Sequence, residues 1–337
     1  MISAFRAGDR RALSRLLSFA ERREAQFPSI YDELAGARGQ ARRIGITGPP
    51  GAGKSTLVNA LITALRKASE RVAVLAVDPS SPFTGGALLG DRVRMQDHVL
   101  DTGVFVRSMA TRGSMGGLCA ASLEAADLLD AFGFPHVLVE TVGVGQIEHD
   151  VVEATDLVVV VLSPMAGDGI QALKAGLMEL ADIFVINKAD LPGASRVAVD
   201  LRDMLALRPF RHGEDIPIVA CTATTGEGVD DVVAAVGACF ERLRSEGRLA
   251  ERRHARHLAQ VRRLVEAALR QRIFGQDGDF AAELDEADLQ RPYAAHAALL
   301  ARIDAFAAVR ARGKLSESLA EARPEHGSPA EGSEEHR

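Results

Sequence analysis

The chain has no tryptophan, two tyrosines and three cysteines, and the cysteines' placement removes a class of function. Cys119, Cys221 and Cys239 lie far apart, form no C-x-x-C and join no Cys/His cluster at metal-ligand spacing. That pattern argues against a thiolate metal centre and for buried free thiols in a reducing compartment. No apolar run approaches the ~20 residues a membrane helix requires. The opening residues, Met-Ile-Ser-Ala-Phe-Arg-Ala-Gly-Asp-Arg-Arg, carry no signal-peptide core, so the expected location is the cytoplasm. Basic excess is also missing: 40 Lys and Arg stand against 46 Asp and Glu, a net charge of −6. Nothing global draws this chain to nucleic acid or an anionic membrane, and neither is expected as a partner.

What is present is an ordinary globular composition over 337 residues, 47% hydrophobic and 26% charged. This is enough for one large α/β domain with additions, or for two domains. From residue 42 to about 240, β-rich runs alternate with helical segments: Arg43–Thr47, Val72–Asp78, Val104–Ser108, His136–Thr141, Leu157–Ser163, Ile183–Asn187 and Ile216–Thr222. Several runs are apolar on both faces, Val158-Val-Val-Val-Leu most clearly, as buried parallel strands are. The expected fold is an α/β, doubly wound, mostly parallel sheet of the P-loop NTPase kind, with helical extensions at both ends. The expected divisions are an N-terminal helical extension over 1–40, the sheet domain over 41–242, a helical dimerisation region over 243–315, and a disordered polar tail over 316–337.

The N-terminal extension reads as a helix capped by Asp9, with a stripe of Leu13, Leu16, Leu17 and Phe19, followed by a short helix around Ile30–Ala37. Residues 243–275 read as a basic helix with Leu258, Val261, Leu264, Val265 and Leu269 as its apolar face. Such a helix can bind nucleic acid or an acidic partner, but the expected reading is a solvated face balanced by acidic residues elsewhere, because no aromatic residues interleave for base stacking. A further helix over 285–313 carries Leu299, Leu300, Ile303 and Phe306, which a second subunit would cover.

Residues 48–55 read Gly48-Pro49-Pro50-Gly51-Ala52-Gly53-Lys54-Ser55, a complete G-x-x-x-x-G-K-[ST] loop, with Thr56 opening the helix that follows. Glycines let the backbone fold until its N–H groups point at phosphate oxygens; Lys54 reaches the β- and γ-phosphates and Ser55 offers its hydroxyl to Mg²⁺. A strand before and a helix after put a helix N-terminus under the phosphates. Asn187-Lys188-Ala189-Asp190 ends a later strand and reads N-K-x-D. A carboxylate at Asp190 accepts from guanine N1–H and the 2-amino group together, a pair adenine lacks. Asn187 holds neighbouring loops, and the stem of Lys188 covers the purine face. Thr222 and Ala223, after the last strand, stand where backbone N–H groups meet the guanine oxygen. The bound nucleotide is therefore GTP or GDP, with Mg²⁺.

Glu140-Thr-Val-Gly143 occupies the place where most GTPases carry D-x-x-G. Its carboxylate is a metal ligand, the longer Glu suiting a water-mediated contact. Asp78 and Asp91 are further candidates, each either a metal or water contact or a helix cap. Val144, not Gln, follows Gly143, and Gln146 is the candidate for orienting the attacking water. The expected catalytic set is Lys54, Asp91, Glu140 and Gln146, and the expected metal set Ser55, Asp78, Asp91 and Glu140. Unaided hydrolysis is expected to be slow.

Taken together, Gly48–Thr56, Val77-Asp-Pro-Ser-Ser-Pro82, Gly90-Asp-Arg-Val-Arg-Met95, Glu140–Gln146, Gly167-Asp-Gly-Ile-Gln-Ala-Leu-Lys174, Glu179-Leu-Ala-Asp182 and Asn187–Asp190 resemble the MeaB/ArgK family of P-loop GTPases over roughly residues 5–313. The resemblance implies a homodimeric chaperone of an adenosylcobalamin-dependent acyl-CoA mutase. Such a chaperone gates cofactor loading, protection and reactivation, and the mutase stimulates its GTPase activity. It also implies a switch toward that partner at Asp168, Gln171 and Lys174. The alternative, a nickel metallocentre-assembly GTPase, calls for Cys/His clustering that this chain lacks.

Overall fold

The computed structural model describes residues 1–78, 98, 100–110, 117–141, 154–164, 178–206 and 216–274. Asp91, Gln146, Asp168, Gln171 and Lys174, the helix over 285–313 and the C-terminal tail lie outside them, as do the side chains of Asp78 and Cys119.

Seven strands form one sheet: β1 (Arg42–Thr47), β2 (Val72–Asp78), β3 (Val104–Ala110), β4 (His136–Thr141), β5 (Leu157–Leu162), β6 (Ile183–Asn187) and β7 (Ile218–Cys221). Their spatial order is β3-β2-β4-β1-β5-β6-β7, and every pairing is parallel. The helices are α1 (Ile2–Arg6), α2 (Arg10–Arg22), α3 (Phe27–Glu33), α4 (Lys54–Lys67), α5 (Gly117–Ala131), the turn α6 (Met178–Leu180), α7 (Ala194–Ala206), α8 (Val229–Ser245) and α9 (Arg248–Phe274). The sheet is the doubly wound P-loop architecture that the alternation of runs indicates.

Alternation along each strand sorts side chains to two faces. On one face, Ile44, Ile46, Val159, Val161 and Val185 pack with Leu57, Val58 and Leu61 of α4 and Val232 and Phe240 of α8. The opposite face holds two clusters. One gathers Leu75, Val77, Val137 and Val139 with α5 and with Leu13, Leu16 and Leu17 of α2. The other gathers Val158, Val160, Leu162 and Phe184 with Leu201 and Leu205 of α7. β4, β5 and β6 are buried along their whole length, which is why they read as unbroken apolar runs.

One local reading holds and two shift. Asp9 caps α2 by accepting from the Arg11 N–H at 2.7 Å. The second N-terminal helix begins earlier, at Phe27, because Pro28 in its first turn lacks the N–H that helix starts leave unused. β7 begins at Ile218: Pro217 has no N–H for the ladder and contributes only its carbonyl, to the Phe184 N–H at 2.9 Å.

The edge of the sheet where the strands begin holds a buried ionic cluster. Arg43, 1% exposed, donates to Asp127 at 2.6 Å and Asp130 at 2.9 Å, both on α5. Asp130 also accepts from the N–H groups of Gly39, Gln40 and Ala41. Tyr31 of α3 bonds Asp127 and accepts from Gln260 of α9 at 2.7 Å. Asp156, before β5, takes Arg253 and Arg256, each at 2.8 Å, and Asp182 takes Arg252 at 2.7 Å. These three arginines of α9 are thus committed to carboxylates of their own chain, and their side of the helix is docked rather than solvated. Leu258, Val261, Leu264, Val265 and Leu269 of α9 are exposed. Contacts divide the chain at Val261: Met1–Val261 forms one compact unit and Arg262–Arg337 another. Among the described residues no helix is long and apolar enough to cross a membrane.

Candidate nucleotide site

The phosphate loop leaves the end of β1, at the centre of the sheet, and runs into α4. Gly48, Gly51 and Gly53 all have positive φ, at 140°, 75° and 90°. Two of the three are also sterically fixed. A Cβ on Gly48 would collide with the backbone carbonyl of Val161 in β5, and one on Gly53 with the side-chain amide of Asn187 in β6. Gly51 meets nothing within 4 Å and serves only the turn. Pro49 and Ala52 are buried, while Pro50 and Thr56 are exposed.

Lys54 is 7% exposed, and its ammonium donates to the carbonyls of Gly48 at 2.8 Å and Pro49 at 3.1 Å. Its charge is held over the mouth of the loop. Beside it the Ser55 hydroxyl donates to Glu140 Oε1 at 2.5 Å. Glu140 stands on β4 in register with Ile46 of β1 and Ala76 of β2. The register therefore brings the ends of β1, β2 and β4 to one edge, with Thr47 and Thr141 joined there at 3.2 Å. Asp78 ends β2 at that edge.

Asn187 ties the phosphate loop to the later loops. Its Nδ2 donates to Ala52 O at 2.9 Å and Gly53 O at 3.3 Å. Its Oδ1 accepts from the N–H groups of Lys188 at 2.8 Å and Ala223 at 3.1 Å. Lys188, at φ 59°, turns its amine onto Gly51 O at 2.8 Å. Its stem lies along the phosphate loop, near Gly53. Asp190 is exposed at the rim. Thr222 and Ala223 are buried; the Thr222 N–H goes to Glu227 O at 2.8 Å, and the Ala223 N–H is engaged by Asn187. Burial pushes the neighbouring Cys221 thiol up to about 11, so it remains a neutral core group, and Cys239 is likewise buried and free.

The structure therefore brings together Gly48–Ser55, Glu140, Asn187, Lys188, Thr222 and Ala223. Sequence reasoning did not anticipate the Val161 carbonyl that Gly48 packs against, nor the engagement of Lys188 by Gly51. Val161 belongs to no motif, and the Lys188–Gly51 contact joins two motifs; both arise from segments remote in the chain.

Residues 13–278 match the family described as methylmalonyl Co-A mutase-associated GTPase MeaB. The chain belongs to the MeaB family. A Pyrococcus horikoshii protein named for a GTPase is 45% identical over 283 residues, covering 83% of this chain and 89% of the relative. The Escherichia coli GTPase ArgK is 34% identical over 284 residues, 82% of this chain and 86% of its own. Among solved structures, a LAO/AO transport system kinase superposes with a TM-score of 0.66 at 29% identity, covering 82% of this chain and 85% of that one. In this MeaB-family chain the ends of β1, β4 and β6 meet at the strand edge described above, through Ser55 with Glu140 and Asn187 with the phosphate loop.

Proposed function

We propose that this MeaB-family protein binds and slowly hydrolyses Mg·GTP, and that the cycle gates loading, protection and reactivation of an adenosylcobalamin-dependent acyl-CoA mutase. One observation carries the nucleotide reading. The Asn187 side chain joins the phosphate loop, through Ala52 and Gly53, to the base-reading loops at Lys188 and Ala223. The family's description as mutase-associated supports the output.

In this reading the N–H groups of the phosphate loop and Lys54 hold the phosphates, and Lys54 offsets charge that spreads over the transferring phosphoryl oxygens. A Ser hydroxyl and a Glu carboxylate within hydrogen-bond reach form a hard-oxygen donor pair, which fits Mg²⁺. Ser55 and Glu140 would hold it, with Asp78 and Asp91 as further acids. When bound, the ion supplies charge neutralisation at the β- and γ-phosphate oxygens. Asp190 reads the guanine edge. Because Asn187 engages the Ala223 N–H, that group reaches the guanine oxygen only by sharing its bond. Gln146 orients the attacking water, and Asp168, Gln171 and Lys174 meet the mutase.

The chain acts as a homodimer in this scheme, α9 presenting its exposed leucines and valines to a second copy. The deciding experiment compares GTP turnover by the full chain alone and with the cobalamin-loaded mutase of the same organism. Faster turnover with the mutase is expected; equal turnover removes the regulatory role.

A further inference from the structure

β5 ends wedged between the two loops of the nucleotide site. Its Val161 carbonyl fills the space a Gly48 side chain would need, and Pro164 lies 3.7 Å from where a Cβ on Gly193, past the guanine-reading turn, would stand. Between them is Ser163, 2% exposed, whose hydroxyl has no hydrogen-bond partner among the described residues. A buried hydroxyl without a partner is destabilising, so its retention calls for a physical account.

The direction of Ser163 follows from strand alternation. Leu157, Val159 and Val161 face α4, whereas Val158, Val160 and Leu162 face α7. Continuing the alternation carries Ser163 to the α4 side, under the phosphate loop. On β6, Ile183 and Val185 face the same side, and the last register pair is Leu162 with Ile186. One step on, Ser163 comes beside Asn187, which already holds the Ala52 and Gly53 carbonyls. No motif of the family resemblance includes this position.

We infer that Ser163 is a positioning residue for the phosphate loop: its hydroxyl hydrogen-bonds the underside of the loop when the loop tightens around the phosphates of a bound nucleotide. The inference rests on the nucleotide reading above and deepens it. The unpartnered hydroxyl disfavours the nucleotide-free protein, and its satisfaction adds to nucleotide affinity, so Ser163 couples loop geometry to occupancy without touching the ligand.

The test measures the thermal midpoint of the full chain without nucleotide, and the affinity for Mg·GppNHp, a non-hydrolysable GTP analogue. Ser163→Ala is expected to raise the nucleotide-free midpoint while weakening the analogue about five-fold, the size of one net hydrogen bond. Ser163→Cys keeps the volume but loses most of the donor strength, and is expected to weaken binding to a similar extent. Wild-type affinity in the Ala variant overturns the inference. So does a weakened Ala variant beside a Cys variant of wild-type affinity, since volume alone would then explain the loss. A wild-type chain that binds no analogue at all overturns the nucleotide reading itself, and this inference with it.

Discussion

The Ser55 hydroxyl donates to Glu140 Oε1 at 2.5 Å, joining the first turn of α4 to the end of β4 across 85 residues of sequence. These are the two described oxygen donors that the family motifs assign to the metal, and the fold places them together. Glu140→Gln removes the charge and keeps the shape. It should lower Mg²⁺-dependent GTP hydrolysis on the order of 10²-fold, while nucleotide binding measured in EDTA stays within a few-fold of wild type. Steady-state turnover across a Mg²⁺ titration checks this; unchanged turnover would remove Glu140 from the site.

The three phosphate-loop glycines should rank by what surrounds them. Gly48→Ala meets the Val161 backbone, which has no flexible end to yield. It should destabilise the fold by about 1–3 kcal/mol and abolish binding. Gly53→Ala displaces the Asn187 amide and should weaken nucleotide strongly. Gly51→Ala meets no neighbour and incurs only its positive φ, about 1–2 kcal/mol. Denaturant midpoints and nucleotide titrations of the three variants give the order directly.

Asp190→Asn exchanges an acceptor for a donor at the guanine edge. GTP should weaken by about 10–100-fold, the size of a lost charged hydrogen-bond pair, while xanthosine triphosphate, which carries a carbonyl in place of the 2-amino group, should gain. Competition binding of the two nucleotides to the wild type and the variant decides it.

Arg43 is the buried cation between Asp127 and Asp130. Arg43→Met leaves both carboxylates buried without it and should cost about 3–5 kcal/mol in urea unfolding. Burial pushes Asp127 up, but Arg43 and the Tyr31 hydrogen bond outweigh it and hold the carboxyl below its ordinary 3.8. In Asp156, burial is likewise outweighed by Arg253 and Arg256. A depressed carboxylate stabilises the fold above its unfolded value and loses that contribution as pH falls through the folded one. This cluster should therefore hold to about pH 4 and fail below it. Thermal midpoints that stay level below pH 4 would contradict the assignment.

His136 gives an earlier acid effect. Burial lowers its pKa from 6.5, only partly opposed by Glu70 at 4.0 Å. The unfolded chain then takes up the proton first, so stability is complete above 6.5 and declines as pH falls through the depressed value. His136→Gln should flatten the thermal midpoint between pH 6.5 and 5 relative to wild type. An equal slope in both proteins would assign the effect elsewhere.

Much of this site was legible in the chain because it depends on local backbone chemistry. A tight anion-binding turn needs Gly48, Gly51 and Gly53 in fixed spacing before Lys54 and Ser55, and the N-K-x-D pattern needs Asn187 and Asp190 three residues apart at a strand end. The buried parallel strands were legible too, since a strand covered on both faces must be apolar throughout. The arginines of α9 were not. Their sequence pattern is that of a solvated helix, and only the strand-beginning edge of the sheet supplies Asp156 and Asp182 to receive them.

The sequence by itself determined the phosphate-loop motif, the parallel sheet and the family, because each follows from short-range spacing and periodicity. Tertiary structure alone decided that Asn187 joins the phosphate loop to the turns at Lys188 and Ala223, that Glu140 meets Ser55, that Gly48 lies against Val161, and that Ser163 is buried without a partner among the described residues. Those relationships depend on strand order and register, which are set by how the whole sheet buries its two faces and are written in no single stretch of the chain.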